Sequence, residues 1–253
     1  MKNNDLKPYG TYLNMLAHKY DKGQVFEDFL QIIVCCLQMG RAEELYFKTI
    51  KKYSRDELQY FSLAFASLVD EMTRKELQDP FYGWFEQNLL NAGSGQFFTP
   101  RPVANLLAQL VYIPTVDKAD KTDNDKRIYD PCCGSGGLIL ACARKDRNRY
   151  FVAADISYTC CLMTLVNMCL YSLSGEVLHM DSLSSDTCWH RWLVIVDSFT
   201  KLPTIYEVTD NTPTPHESSA DLQPMKLQGN IQPVKDMTCL LYTSPSPRDR
   251  SLS

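Results

Sequence analysis

The sequence predicts an α/β fold in which helices cover a parallel β-sheet and a helical domain precedes that sheet. The first observation behind this prediction is a change in apolar periodicity. Helical spacing prevails up to residue 112, whereas short strand-like runs alternate with helical segments from residue 127 onward. The second observation is a glycine-rich turn, residues 134–137, between the first such run and the helix after it. A composition of 45 % hydrophobic and 22 % charged residues excludes a wholly disordered or collagen-like chain.

The N-terminal domain, residues 1–90, is predicted to be helical. Its apolar residues recur at steps of three and four, which places them on one face of each helix. Ser54 and Glu57 match a capping box, and Asp79 before Pro80 is typical of a helix start. The predicted helices span residues 25–37, 54–72 and 80–89.

The segment 91–208 is predicted to form the sheet domain. A helix beginning at Thr99–Pro100 leads into it, and strand-like runs then alternate with helices. That order favours parallel strands covered by helices. The predicted elements are strands at 127–129, 150–154 and 176–180, helices at 138–143 and 158–173, and two further strands at 192–196 and 204–208.

The last segment, residues 209–253, lacks the apolar pattern of a folded domain. Prolines interrupt polar residues throughout it, so we expect it to be a disordered tail. Residues 238–250 also resemble translated sequencing-adapter sequence rather than evolved protein, so the end of the chain is suspected to be artefactual and no function is assigned to it.

Several classes of protein are disfavoured by composition. The ten cysteines include no Cys-x-x-Cys pair and the four histidines are scattered, so no metal site is predicted. The longest apolar run is far shorter than a membrane span, and no secretory signal is visible, which favours the cytoplasm and argues against a membrane partner. The net charge of −4 does not indicate a nucleic-acid binder. A local cationic run, Arg144–Arg149, is interpreted as the solvated end of a helix.

The glycine turn and one carboxylate indicate a ligand site. Gly134 and Gly136 would let a ligand approach bare backbone at a helix N-terminus. Asp155, at the end of the next predicted strand, is where a carboxylate would accept hydrogen bonds from ribose hydroxyls. Ile139 stands where a dinucleotide fingerprint requires its third glycine, which disfavours NAD. The pattern therefore predicts a nucleoside ligand without a pyrophosphate.

These residues resemble the S-adenosylmethionine-dependent N6-adenine DNA methyltransferases, of the kind that forms the modification subunit of type I restriction systems. The resemblance implies that one signature loop packs on the methionine part of the cofactor and that a second, glycine-rich motif also binds the cofactor. It implies that Asp155 holds the ribose and that Asp181 reaches the amino group of the cofactor's adenine. The first motif comprises Gln96, Phe97, Phe98, Thr99, Pro100 and Arg101, and the second comprises Asp130, Pro131, Gly134, Ser135, Gly136 and Gly137.

The same resemblance implies a class I methyltransferase-like, Rossmann-like parallel sheet, here incomplete because five strands are predicted where the family has seven. It implies S-adenosyl-L-methionine as cofactor and DNA as substrate. A specificity or restriction subunit is the implied protein partner.

The chain departs from the family where the methyl group would be transferred. The exocyclic amine of adenine is a poor nucleophile, so the family holds it with an Asn/Asp-Pro-Pro-aromatic tetrapeptide that is absent here. At the matching place, Asp197 and Phe199 supply an acceptor and an aromatic ring, or else form an ordinary turn. The segment 79–82 resembles the tetrapeptide in letters but precedes the glycine motif, and it is not assigned to the site. Two functions therefore stay open, an adenine-specific DNA methyltransferase and a noncatalytic cofactor-binding subunit that acts as a scaffold.

Overall fold

The computed structural model describes residues 6–89, 98–112, 127–184 and 187–208. The predictions for Gln96 and Phe97, and those for the segment from residue 209 onward, lie outside the described residues. The described helices are α1 (Tyr9–Leu16), α2 (Lys22–Leu37), α3 (Glu43–Ile50), α4 (Arg55–Arg74), α5 (Tyr82–Asn88), α6 (Arg101–Val111), α7 (Gly137–Ala143) and α8 (Tyr158–Leu170). The described strands are β1 (Arg127–Asp130), β2 (Tyr150–Asp155), β3 (Gly175–Met180), β4 (Cys188–Val196) and β5 (Pro203–Val208).

The N-terminal helices form where their capping signals predict. The hydroxyl of Ser54 accepts a hydrogen bond from the backbone N–H of Glu57, whose carboxylate accepts one from the N–H of Ser54, which completes the capping box of α4. The sequence did not predict the bounds of two short helices, α1 and α3. Each spans only eight residues, a length at which periodicity is a weak signal.

The helical segment shares one hydrophobic core with the sheet. Phe26 of α2 is fully buried and stacks on Trp84 of α5 with ring centroids 4.8 Å apart. On its other side α2 meets α8, where Thr159 donates a hydrogen bond to Glu27 at 2.6 Å. The described residues all belong to one compact unit, and the domain boundary predicted near residue 90 falls among residues that the structure does not describe.

The sheet is mixed rather than wholly parallel, which corrects the predicted fold class. Its strand order is β1-β2-β3-β4-β5. The first three strands are parallel, as predicted, whereas β4 runs antiparallel to β3 and β5 runs antiparallel to β4. The architecture is therefore α/β with a five-stranded mixed sheet.

The length of the connections explains the reversal. A parallel crossover needs a dozen or more residues, but only residues 181–187 join β3 to β4 and only residues 197–202 join β4 to β5. A largely buried ion pair holds the reversed strand, because Arg191 of β4 contacts Glu176 of β3 at 2.8 Å.

Helix α6 presents its apolar stripe to solvent. Ala104 and Ala108 are buried against the protein, whereas five aliphatic side chains of the stripe are 39–56 % exposed: Val103, Leu106, Leu107, Leu110 and Val111. Within the described ranges, none of the helices is both long enough and apolar enough to cross a membrane.

Candidate functional site

The carboxyl ends of β1, β2 and β3 meet at one edge of the sheet and form the candidate site. The backbone N–H of Gly134, after β1, donates to the carboxylate of Asp155, at the end of β2, at 2.8 Å. The hydroxyl of Ser182, after β3, donates to the carbonyl oxygen of Pro131 at 2.7 Å. Three consecutive strand ends are thus joined by hydrogen bonds at the edge where open α/β sheets bind ligands.

The glycine loop requires two of its glycines. Gly134 has φ +54° and Gly136 has φ +87°, both in the left-handed region that side chains other than glycine rarely adopt. A Cβ on Gly136 would lie 3.2 Å from the hydroxyl of Thr164 on α8. Substitution there would therefore strain the loop and press on α8, rather than simply fill the space of a ligand. Gly137 follows as the first residue of α7.

The two sequence motifs come together in space. A Cβ on Gly134 would lie 2.8 Å from the ring of Phe98, so this aromatic side chain packs directly on the glycine loop. Phe98 also packs against Phe85 of α5, with ring centroids 5.1 Å apart. Thr99 and Pro100 precede α6, which begins at Arg101 with Pro100 as its N-cap residue and without a side-chain cap.

Asp155 links two loops of the site. One of its carboxylate oxygens accepts from Gly134 and the other from the backbone N–H of Ser157 at 2.8 Å, at the start of α8. Asp181 closes the turn after β3 by accepting from the N–H of Leu183 at 2.9 Å. Both carboxylates are half-exposed, as groups that meet a ligand must be.

The site is electronegative. Partial desolvation raises the pKa of the exposed Cys132 thiol in the glycine loop, and the negative charges of Asp155, Asp130 and Asp181 raise it further. Among the described residues none of these three acids forms a salt bridge. Asp130 itself is buried, which raises its pKa, and accepts from the N–H of Cys132 at 3.2 Å. The arrangement suits a ligand that carries hydroxyl or amine donors and a positive charge.

Two apolar residues beside the acids were missed by sequence reasoning. Ile156 follows Asp155 directly and is 62 % exposed, and Leu183 lies two residues after Asp181 and is 96 % exposed. Apolar side chains presented next to polar groups are typical of ligand pockets, which are mostly apolar with a few convergent polar groups. The sequence feature that could have indicated them is an aliphatic residue one or two positions after the acid that ends a strand.

Asp79 was set aside in the sequence, yet the structure places it against the glycine loop. The hydroxyl of Ser135 donates to its carboxylate, and the amide of Asn167 on α8 donates to it at 3.2 Å. The same amide also donates to the carbonyl oxygen of Ser135 at 2.8 Å. Burial raises the pKa of Asp79, against the opposing effect of these hydrogen bonds. Asp79 thus anchors the loop from the helical segment, and nothing in local sequence signals so distant a contact.

Asp197 and Phe199 are not brought to this site. Because β4 is antiparallel, its first residue, Cys188, pairs with the end of β3, and its last turn lies at the opposite edge of the sheet. There Asp197 accepts from the backbone N–H of Thr200 at 2.6 Å, and Phe199 is 93 % exposed. Hydrogen bonds from Thr200 lower the pKa of Asp197. These contacts make the pair an ordinary hairpin turn, separated from Asp155 by the length of the strands.

The described fold and site define a class of protein, an α/β domain with a glycine loop and acidic strand ends suited to a nucleoside ligand. Residues 79–203 match the sequence model of the N-6 DNA Methylase family. The resemblance drawn from the two motifs is thereby confirmed.

A curated relative agrees with the family match. The methylase subunit of the type I restriction enzyme MpnII from Mycoplasma pneumoniae is 27 % identical over 118 residues, which cover 44 % of this chain. The match spans only 20 % of that relative's length. No solved structure matches this chain.

Proposed function

We propose that this chain is an S-adenosylmethionine-dependent DNA methyltransferase domain directed at the N6 amine of adenine. The observation that carries the proposal is the hydrogen bond between Asp155 and the N–H of Gly134. It joins the glycine loop to the acid of the next strand at the ligand edge of the sheet. The family match supports the proposal, because residues 79–203 include both motifs and the two acids Asp155 and Asp181.

The residues of the site fit the proposed cofactor. Gly134, the partly exposed glycine of the loop, would meet it, and Asp155 would accept hydrogen bonds from the two ribose hydroxyls. Asp181 would accept from the amine of its adenine, and the face of Phe98 would meet its methionine part. The carboxylates of Asp130, Asp155 and Asp181, which form no salt bridge within the described ranges, would complement the positive charge of a sulfonium. When bound, S-adenosylmethionine would supply an electrophilic methyl group.

A second candidate function follows from the position of Asp197 and Phe199. The amine of adenine needs preorganised acceptors and an aromatic face, and neither residue lies at the edge that holds Asp155. This separation favours a noncatalytic subunit that binds the cofactor and contributes a scaffold to a restriction-modification complex. In either case we propose DNA as substrate or ligand and a specificity or restriction subunit as partner.

Calorimetric titration tests cofactor binding. We expect the purified chain to bind S-adenosylmethionine and S-adenosylhomocysteine but not NAD. Asp155→Ala should weaken binding by about 1.5–3 kcal/mol, or roughly 10- to 150-fold, because hydrogen bonds to a charged carboxylate are lost. Asp197→Ala is the matched control, since it removes an aspartate from a turn at the other edge and should leave the affinity unchanged. A folded wild-type chain that gives no heat with either ligand would refute the proposal.

Transfer of labelled methyl groups to an adenine-containing duplex then separates the two functions. We expect little transfer by the chain alone, because the described site lacks acceptors for the target amine. Binding without transfer would support the noncatalytic subunit. Robust transfer that is lost in Asp155→Ala but kept in Asp197→Ala would support the enzyme and place its acceptors outside the hairpin turn.

A further inference from the structure

The cationic run 144–149 contains two kinds of residue that the sequence does not distinguish. Arg147 pairs with Glu76 at 2.7 Å, and Arg149 pairs with Asp146 at 2.8 Å. Arg144 and Lys145 have no carboxylate partner among the residues that the structure describes. Within the described residues, Arg144 and Lys145 are therefore the two cations of the run whose charge no carboxylate balances.

Arg144 and Lys145 line an open cleft between the end of α7 and one flank of α6. The cleft has a volume of about 250 Å³, and its other lining residues are Asn105, Gln109 and Ala141. Asn105 and Gln109 are one helical step of four apart, so their amides face the cleft together. The exposed apolar stripe of α6 lies on a different face of that helix. Successive residues of a helix are rotated by about 100°, so Leu106 and Leu110 point away from the side that carries Asn105 and Gln109.

Arg144 is held in place before any ligand arrives. Its guanidinium donates to the carbonyl oxygen of Leu77 and, at 2.6 Å, to the amide oxygen of Asn105. Burial lowers its pKa, and the positive charge of nearby Arg101 lowers it further. The half-buried positive charge of Arg144 is thus hydrogen-bonded only to neutral acceptors and is repelled by the charge of Arg101. An anion in the cleft would stabilise the charged guanidinium.

We propose that this cleft binds a phosphate group of a nucleic-acid backbone through Arg144, Lys145 and the amides of Asn105 and Gln109. Guanidinium, ammonium and amide groups are the donors that proteins use to contact backbone phosphates. The choice of a backbone phosphate over other anions rests on the proposed function, since a DNA methyltransferase domain must hold a duplex. The cleft lies at the far end of α7 from the glycine loop, about 10 Å along a helix of this length. That end of α7 lies at the edge of the sheet where β2 begins, opposite the carboxyl ends of the strands. The cleft would therefore hold a part of the duplex that lies away from the cofactor site.

The test measures binding of the full chain to a fluorescently labelled 16-base-pair duplex between ~0.1 and ~1 M salt. Lys145→Gln removes one exposed cation, and each phosphate contact contributes about 0.9 to the slope of log K against log salt. We expect that slope to fall by about 0.9 and the affinity at ~0.1 M salt to fall about eightfold. The matched control is Lys19→Gln, which makes the same change at an exposed lysine paired with Glu57, and it should change affinity less than twofold.

Arg144 is tested by a conservative change because its removal would leave buried acceptors unpaired. Arg144→Lys keeps the charge but loses the planar fork, and we expect duplex affinity between those of the wild type and Lys145→Gln. Equal slopes for wild type, Lys145→Gln and Lys19→Gln would overturn the proposal, as would a wild-type chain that does not bind the duplex at low salt.

Competition identifies the source of the anion. A nonspecific unlabelled duplex should displace the probe, whereas inorganic phosphate and a poly-glutamate peptide of equal charge should do so far less. A peptide or free phosphate that competes as well as DNA, in a manner dependent on Lys145, would overturn the assignment to a nucleic-acid backbone. The titration with S-adenosylmethionine is independent of these measurements and should be unchanged in Lys145→Gln. Failure of the phosphate site and failure of the cofactor site are therefore distinguishable.

Discussion

Asp79 gives the sharpest test of how the glycine loop is held. Its carboxylate accepts from Ser135, which is 3 % exposed, and from Asn167, which is fully buried. Asp79→Ala removes the acceptor from these two side chains and from the backbone N–H of Phe81, and an unsatisfied buried donor costs about 1–3 kcal/mol. We expect the free energy of unfolding to fall by about 2–4 kcal/mol, because the hydroxyl of Ser135 can rotate to recover part of the loss. Chemical denaturation at neutral pH measures this change.

The control for that variant is Asp70→Ala on α4. Asp70 is exposed and pairs with Arg74 one turn away, so its removal should cost less than about 1 kcal/mol. Because Asp79 orders the loop, Asp79→Ala should also weaken binding of S-adenosylmethionine, by about tenfold. A variant that matches the wild type in both stability and affinity would refute the anchoring role of Asp79.

The pH dependence of Asp79→Asn provides a second readout. Burial raises the pKa of Asp79 in the folded state above the unfolded value of about 3.9. The protonated carboxyl is therefore favoured on folding, and its contribution is complete below pH ~4 and is lost as pH rises through the folded pKa. The stability of the wild type minus that of Asp79→Asn should thus decrease as pH rises from ~4, and then level off. A difference that increases with pH would show that the hydrogen bonds outweigh burial.

Two further predictions concern the sheet and its far edge. A Cβ on Gly175 would lie 1.9 Å from the carbonyl oxygen of Phe151, so Gly175→Ala should destabilise the protein by more than about 3 kcal/mol in denaturant titration. Gly83→Ala, in open space within α5, should instead stabilise it by up to about 1 kcal/mol, and equal effects of the two changes would contradict the packing of β3 on β2. Asp197→Ala should lower the melting temperature only slightly, since its hydrogen bonds lie in an exposed turn, and should leave methyl-donor affinity intact. Loss of that affinity would mean that the turn reaches the cofactor site.

Much of the fold could be predicted because its signals are local. The strand predicted at 150–154 is observed at Tyr150–Asp155, and the helix predicted at 138–143 is observed at Gly137–Ala143. Alternation of apolar residues and the glycine turn suffice for these elements. The site edge was also predictable, because consecutive parallel strands place their carboxyl ends together and so bring Gly134 beside Asp155.

The periodicity of apolar residues predicted neither the direction of β4 nor which face of α6 is buried. An apolar run is the same in either direction, so the reversal of β4 depends on connector length and on the pairing of Arg191 with Glu176. Likewise, the stripe of α6 indicates an amphipathic helix but not which face the protein covers. The small side chains of Ala104 and Ala108 allow close packing on that side.

The sequence by itself determined the family resemblance, the glycine loop and the acids at the strand ends, because these depend on residue type and on spacing within a few dozen positions. Only the tertiary structure decided that Asp79 anchors Ser135 and that Asp197 lies at the edge of the sheet opposite Asp155. It also decided that Arg144 and Lys145 are the cationic residues of their run that have no carboxylate partner among the described residues. Each of these outcomes depends on contacts between segments far apart in the chain, and such contacts are set by chain direction and packing, which local composition does not encode.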